Sequence, residues 1–144
     1  MLDTRGILHH SFVIKKAYDS LWDGICAKFA LTRAEIDVIA FLAHNPDFDT
    51  ASDIVDYRMI AKSHVSKAVD SLMERRFVTR TQDEHDRRCI HLALTEAARE
   101  AVSAILTRQE EFTRALEEGF TQEELDRFGS MAERIAENAE KTLE

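Results

Sequence analysis

Proline and glycine are scarce in this chain: one proline and four glycines among 144 residues. Long regular elements are therefore expected and flexible linkers are not. Cysteine is scarce too. Cys26 and Cys89 are too few for a disulfide framework, and no CxxC spacing exists for a metal site. No stretch approaches the roughly 20 apolar residues of a membrane span. The N-terminal "MLDTRGILHHSFVIKKAYDS" lacks the uninterrupted apolar run of a secretory signal. A cytoplasmic protein with no membrane partner is expected. There is no Gly-rich phosphate loop, no G-x-S-x-G and no H-E-x-x-H, so neither an enzyme nor a cofactor is expected. The six histidines form no H-x-x-x-H pair, and none lies beyond residue 91, so no metal site is expected either.

What is present is charge and helical periodicity. The net charge is -8, which alone argues against a nucleic-acid partner. Its distribution argues the other way. Residues 57–91 carry 8 basic and 5 acidic residues, together with His64, His85 and His91, while both flanking segments are acidic. A basic block on an acidic body is the footprint of a nucleic-acid contact.

The N-terminal stretch reads as one helix with a wide apolar stripe: Leu8, Phe12, Ala17, Leu21 and Ile25, widened by Val13, Ile14 and Trp22. "LTRAEIDVIAFLAHN" opens a second helix with a Thr32–Glu35 capping box and with Ile36, Ile39 and Leu42 on one face. Thr50 and Asp53 start a short third helix with Ile54 inward. After the joint "RMIAK" comes "SHVSKAVDSLMERR", a fourth helix. It has Val65, Val69 and Leu72 on one side and Ser63, Ser66, Lys67, Asp70 and Glu74 on the others. "FVTRTQ" and "CIHLALT" alternate like strands around the polar run "DEHDRR". A long helix capped by Thr95 follows, then a last one opened by a Thr121–Glu124 box and running through "RIAENAEKTLE".

Two short helices followed by a hairpin make a winged helix-turn-helix. In such a unit the second helix enters the major groove and the wing reaches the minor groove or backbone. Lys62, Ser63, His64, Ser66 and Lys67 stand at the start of that helix, where small hydroxyls and lysines can approach base edges and phosphates. At the hairpin tip, Arg88 is placed for minor-groove insertion. Asp86 is expected to hold its guanidinium in a bidentate pair, and Arg87 to meet phosphate.

The segment "ASDIVDYRMIAKSHVSKAVDSLMERRFVTRTQDEHDRRCIHLALTEAARE" resembles the MarR family of transcriptional regulators. Its most specific part is D-x-x-D-x-R followed by "LT", here Asp83, Asp86, Arg88 and Leu94-Thr95. The stretch "VSKAVDSLMERRFVTR" is similar to the family's recognition helix and first wing strand, ending in Arg80. Where the family has glycine after that helix, this chain has Arg76, at a position suited to left-handed backbone. Ala61 stands where a capping serine is common.

The resemblance implies a mainly α fold: a winged helix-turn-helix core with a two-stranded wing, flanked by N- and C-terminal dimerisation helices. Residues 31–95 would read DNA, and residues 1–30 and 96–144 would pair two subunits. It extends the DNA-facing set to Arg75, Arg76 and Arg80. The function expected is that of a homodimeric repressor on a pseudo-palindromic duplex operator, its affinity modulated by a small molecule. His9 and His10 are candidates to line the effector pocket near the dimer interface. Two alternatives stay open: an all-helical protein-interaction module without DNA, and a redox-responsive regulator using Cys26. Peroxide-sensing relatives carry their reactive cysteine well upstream of the "LT" that opens the second helix, whereas Cys26 lies only a few residues before Leu31-Thr32.

Overall fold

A computed structural model of the chain describes residues 1–58 and 60–143. Met59 of the "RMIAK" joint and the terminal Glu144 lie outside the described residues. The elements run α1 Thr4–Ser20, α2 Asp23–Phe29, α3 Arg33–His44, α4 Ala51–Arg58, α5 Lys62–Glu74, β1 Val78–Gln82 and β2 Ile90–Leu94. A 3-10 turn, Glu96–Ala98, then leads into α6 Arg99–Glu117 and α7 Gln122–Glu140. Among the described residues no helix is long and apolar enough to cross a membrane.

The chain divides into two compact units, Met1–Gln109 and Glu110–Glu144. The first holds the core. Ile36, Val38, Ile39, Phe41, Ile54, Val65 and Leu72 are each at most 1 % exposed, so α3 is enclosed on nearly all sides and α5 along one side. The expected inward residues of α3, α4 and α5 are all buried. The second unit is the end of α6 and the amphipathic α7, which has no buried residue. The Thr121–Glu124 capping box is formed, and α7 ends at Glu140, short of the end expected for it.

Three expected boundaries move. The first helix is two. Ser20 Oγ donates to the Ala17 carbonyl at 2.7 Å, and Leu21 N–H bonds Tyr18 instead. A hydroxyl competing for the ladder tightens the turn there, and the chain resumes as α2, carrying Trp22 and Ile25 into the core. Thr95 does not cap a long helix. Its hydroxyl donates to the Arg76 carbonyl, and a 3-10 turn comes before α6. The fourth helix starts at Lys62 and ends at Glu74.

β1 and β2 pair antiparallel, Val78 with Leu94 through Gln82 with Ile90. Val78 and Leu92 are buried, and the rest of β1 is exposed. The wing is thus rooted in the core at its base, and its outer part is carried by polar contacts.

Candidate nucleic-acid interface

α5 is positioned from two directions. Val65, Ala68, Val69 and Leu72 fill the core. Near its far end the Ser71 hydroxyl donates to Glu35 Oε1 at 2.5 Å. Glu35 is also the capping-box acid of α3: its Oε2 takes the Thr32 amide at 2.6 Å. One carboxylate, 4 % exposed, therefore fixes the start of α3 and the tilt of α5 together. Burial pushes the Glu35 carboxyl up, but the Ser71 hydroxyl, the Thr32 amide and hydroxyl and the nearby Arg75 charge outweigh it, and it lies below the ordinary range.

The opposite side of α5 is free. Lys62, Ser63, His64, Ser66 and Lys67 are all exposed at its N-terminal end. Ala61 supplies no side-chain cap, so the first amides of the helix keep donors available for an anion.

The end of α5 explains both arginines there. Arg76 takes φ 60°, the left-handed region. Arg76 N–H donates to Met73 O at 2.9 Å and Phe77 N–H to Leu72 O at 2.8 Å, the paired bonds of a Schellman motif. Arg76 thus occupies the glycine position with its side chain exposed. Arg75 is used inside the protein. Its guanidinium donates to the Phe29 and Ala30 carbonyls at 2.7 and 3.0 Å and lies over the Phe77 ring. It closes the C-terminus of α2, where orphan carbonyls need donors. Arg75, expected to face DNA, is in this structure engaged with the end of α2.

Arg80, on β1, donates to Asp70 Oδ1 of α5 at 3.0 Å and contacts the Met73 sulfur. It ties the wing to the helix at an exposed edge.

The tip, residues 83–89, is built by its acids. Asp83 Oδ1 accepts the amides of His85 and Asp86, both at 2.8 Å. Asp86 Oδ1 accepts the Arg88 amide at 2.9 Å. Asx contacts of this kind replace backbone pairing in a tight loop. The pair expected between Asp86 and the Arg88 guanidinium is corrected accordingly: Asp86 holds the backbone of Arg88, and no ion pair joins the two side chains among the described residues. Arg87 and Arg88 are exposed. The D-x-x-D-x-R pattern is therefore two folding acids and a projecting arginine.

Sequence reasoning missed a second support of the tip. On β2, His91 Nδ1 lies 2.6 Å from Asp49 Oδ1, in the loop between α3 and α4, and His91 Nε2 lies 3.0 Å from Asp83 Oδ2. Hydrogen bonds donated to the Asp49 and Asp83 carboxylates raise the His91 pKa above its ordinary value. The His91 contact, joined by the tip amides of Asp86 and His85, holds Asp83 down at about 2. No local pattern joins residues 42 positions apart.

His9 and His10 are exposed on α1, with ring centroids 5.9 Å apart. Neither lines the cleft formed by α1, α2 and α3. That cleft, of about 490 Å³, lies between the end of α1, α2 and α3, with Tyr18, Trp22, Cys26 and Arg33 on its wall. The Arg33 guanidinium sits over the Tyr18 and Trp22 rings. The Trp22 indole N–H is buried without a hydrogen-bond partner. Burial and the neighbouring Asp23 charge push the Cys26 thiol up. That is the direction opposite to an activated thiol. Cys89 is also raised, by desolvation and then by Asp83 and Asp86.

The sequence matches no curated protein. Among solved structures it is similar to a MarR family transcriptional regulator from Listeria monocytogenes complexed with a 26mer DNA, at 20 % identity and TM-score 0.81, covering 96 % of this chain and 89 % of that one. It is also similar to Staphylococcus aureus MarR in complex with salicylate and kanamycin, at 18 % identity and TM-score 0.75, covering 96 % and 93 %. A third is Bordetella bronchiseptica BpsR, described with regulation of its DNA binding by 6-hydroxynicotinic acid, at 18 % identity and TM-score 0.69, covering 91 % and 98 %. These likenesses establish the winged-helix fold over nearly the whole chain. Residues 31–88, from the start of α3 to the arginines of the tip, match the MarR family model.

Proposed function

We propose that this protein is a sequence-specific DNA-binding transcriptional regulator, acting as a homodimeric repressor on a pseudo-palindromic duplex. The carrying observation is the exposed N-terminal end of α5 beside a wing whose tip projects Arg87 and Arg88. α5 offers Ser63, His64 and Ser66 to base edges and Lys62 and Lys67 to phosphates. Arg88 goes to the minor groove, and Arg76, Arg80 and Arg87 to the backbone. Asp86 acts by folding the tip, and Arg75 by supporting the end of α5.

Residues 1–30 and 96–144 are assigned to the dimer, and residues 31–95 to reading. Support comes from apolar side chains that the single chain leaves exposed: Leu8, Phe12, Val13 and Ile14 on α1, and Phe128, Met131 and Ile135 on α7. Exposed apolar surface on this scale marks an interface.

A small effector is proposed to lower DNA affinity, in keeping with the salicylate and kanamycin complex of one relative and the regulation of DNA binding by 6-hydroxynicotinic acid described for another. Its site within the chain is the cleft walled by Tyr18, Trp22 and Arg33. His9 and His10 would join an effector site only where a second subunit meets α1. The effector acts through its differential affinity for two dimer shapes.

Selection from random duplex DNA supplies the operator. Fluorescence anisotropy on that duplex should show a steep fall of affinity with salt, the signature of counterion release. Ser63→Ala with Lys67→Ala should lower specific affinity by about 1–3 kcal/mol per residue without unfolding the protein. Unchanged operator affinity in the double variant, with an intact circular dichroism spectrum, overturns the assignment of α5. Failure to select any duplex leaves the protein-interaction module as the better reading.

A further inference from the structure

His91 lies between two carboxylates, and the geometry fixes its chemistry. A neutral imidazole has one N–H and one lone pair, so it can serve one carboxylate only and turns its lone pair toward the other. With Nδ1 2.6 Å from Asp49 and Nε2 3.0 Å from Asp83, both contacts are hydrogen bonds only when the ring is an imidazolium. The three groups belong to three separate pieces of the reading unit: Asp49 to the loop entering α4, His91 to β2, and Asp83 to the wing tip. A backbone bond runs alongside, from Leu92 N–H to Asp49 O at 2.7 Å. Asp83 in turn folds the tip through the amides of His85 and Asp86. The posture of the arginine-bearing tip is thus linked through one ring to the helix-turn-helix.

We propose that His91 is the positioning residue of the wing: its imidazolium clamps Asp83 of the tip to Asp49 of the body, so the tip is held for DNA only while His91 is protonated. The consequence for DNA rests on the function proposed above; the clamp itself does not.

Every titratable group facing the ring works in one direction. Asp49 faces it from the α3–α4 loop and Asp83 from the tip. Cys89, the last residue of the tip before β2, has its sulfur 3.9 Å from Nε2 and stays a neutral thiol. Asp53 of α4 and Asp86 of the tip add negative charge nearby, both acting on Cys89. No cation competes for the two carboxylates among the described residues. The His91 value is raised in the clamped state, so the clamp is complete below the ordinary imidazole value of about 6.5 and is lost as pH rises through the raised one. Asp83, held down at about 2, stays ionised across that whole range.

The test uses the full chain without DNA first. Histidine side-chain NMR should show His91 titrating above the ordinary value, and lower in Asp49→Asn than in the wild type. Amide exchange at Leu92, His85 and Asp86, corrected for intrinsic base catalysis, should quicken about two- to fivefold as His91 deprotonates, the range expected of an exposed ion pair. His91→Gln should exchange at the faster level at every pH. A His91 that titrates at the ordinary value and ignores Asp49→Asn overturns the proposal. So does a pH profile of tip exchange that is the same in His91→Gln. On the selected duplex, wild-type affinity should then fall more steeply between pH 6 and 9 than that of His91→Gln. A clamp present in the first two measurements with equal pH slopes on DNA overturns the link to binding. A protein that binds no duplex fails the DNA reading, while the titration and exchange still decide the clamp.

Discussion

α3 and α7 begin alike and end differently. Each opens with a threonine cap and a glutamate three residues on, each closes the full capping box, and each carries an apolar stripe. α3 buries seven of its twelve residues. α7, with nineteen residues, buries none. The same local grammar therefore produces a core element in one place and an open face in the other. Amphipathic pattern states that a face must be covered; it does not state by what. For α3 the cover is α5 and the wing base within the chain. For α7 the proposed cover is a second subunit.

Removing one ring from each helix gives the largest contrast. Phe41 is fully buried, with the Tyr57 ring 5.7 Å away. Phe41→Ala should cost about 3–5 kcal/mol, through lost transfer energy and the cavity left behind, read as a lowered denaturant midpoint. Phe128 is 66 % exposed. Phe128→Ala should leave the helix content intact and weaken dimerisation by about 2 kcal/mol, roughly thirtyfold, as for an interface anchor. Sedimentation at several concentrations reads that directly. A wild-type chain that sediments as a stable monomer at micromolar concentration breaks the comparison, because α7 would then need no cover.

The capping acids sharpen the contrast at a smaller scale. Glu35→Ala should cost about 1–3 kcal/mol, since it leaves the Ser71 hydroxyl and the Thr32 amide without their acceptor inside the protein. Glu124→Ala removes a box in contact with water and should cost less. Both carboxyls lie below their ordinary range, Glu35 because hydrogen bonds outweigh burial and Glu124 through the Thr121 amide and hydroxyl. Each therefore stabilises the protein above that range and loses its contribution as pH falls through the folded value. Acid unfolding monitored by circular dichroism should come at lower pH in the wild type than in Glu35→Ala. Identical acid midpoints would show that the Glu35 contact to α5 carries no stability.

Much of the fold could be read from the chain because its signals are local. Capping boxes need residues three apart, the wing needs two alternating runs around a polar tip, and the αL end of α5 needs only one position. What could not be read depends on distant partners or on competition. Ser20 breaks the first helix by taking a carbonyl that pattern assigns to the ladder. Thr95 looks like a cap, but its hydroxyl is drawn to Arg76, nineteen residues earlier. Arg75 looks like a groove residue, but two carbonyls at the end of α2 lie within its reach. The acidic run at the tip signalled an arginine held by its side chain, whereas its acids hold backbone. His91 gave no signal, since Asp49 reaches it only through the fold.

The smallest effect predicted lies at Arg76, where the buried and open faces of the reading unit meet. Its φ of 60° is unfavourable for a residue with a Cβ and costs about 1–2 kcal/mol relative to the ordinary helical well. The surroundings over-determine it: Arg76 N–H is bonded to Met73, Phe77 N–H to Leu72, and the Arg76 carbonyl takes the Thr95 hydroxyl at 2.5 Å. Glycine would relieve the strain but would bring an unfolded chain with about 0.5–1 kcal/mol more entropy to lose. Arg76→Gly should therefore stabilise the protein by only about 0.5–1 kcal/mol, a rise in Tm of roughly 2–4 °C. If the exposed guanidinium meets a phosphate, the same variant should bind the selected duplex more weakly and with a salt slope flatter by about 1 per site. Stability and affinity then move in opposite directions, and the arginine stands at a strained position because of the charge it carries. A lower Tm in Arg76→Gly would remove the strain from this account. A higher Tm with an unchanged salt slope would remove Arg76 from the DNA contact and leave the α5 N-terminal residues and the wing tip to carry it.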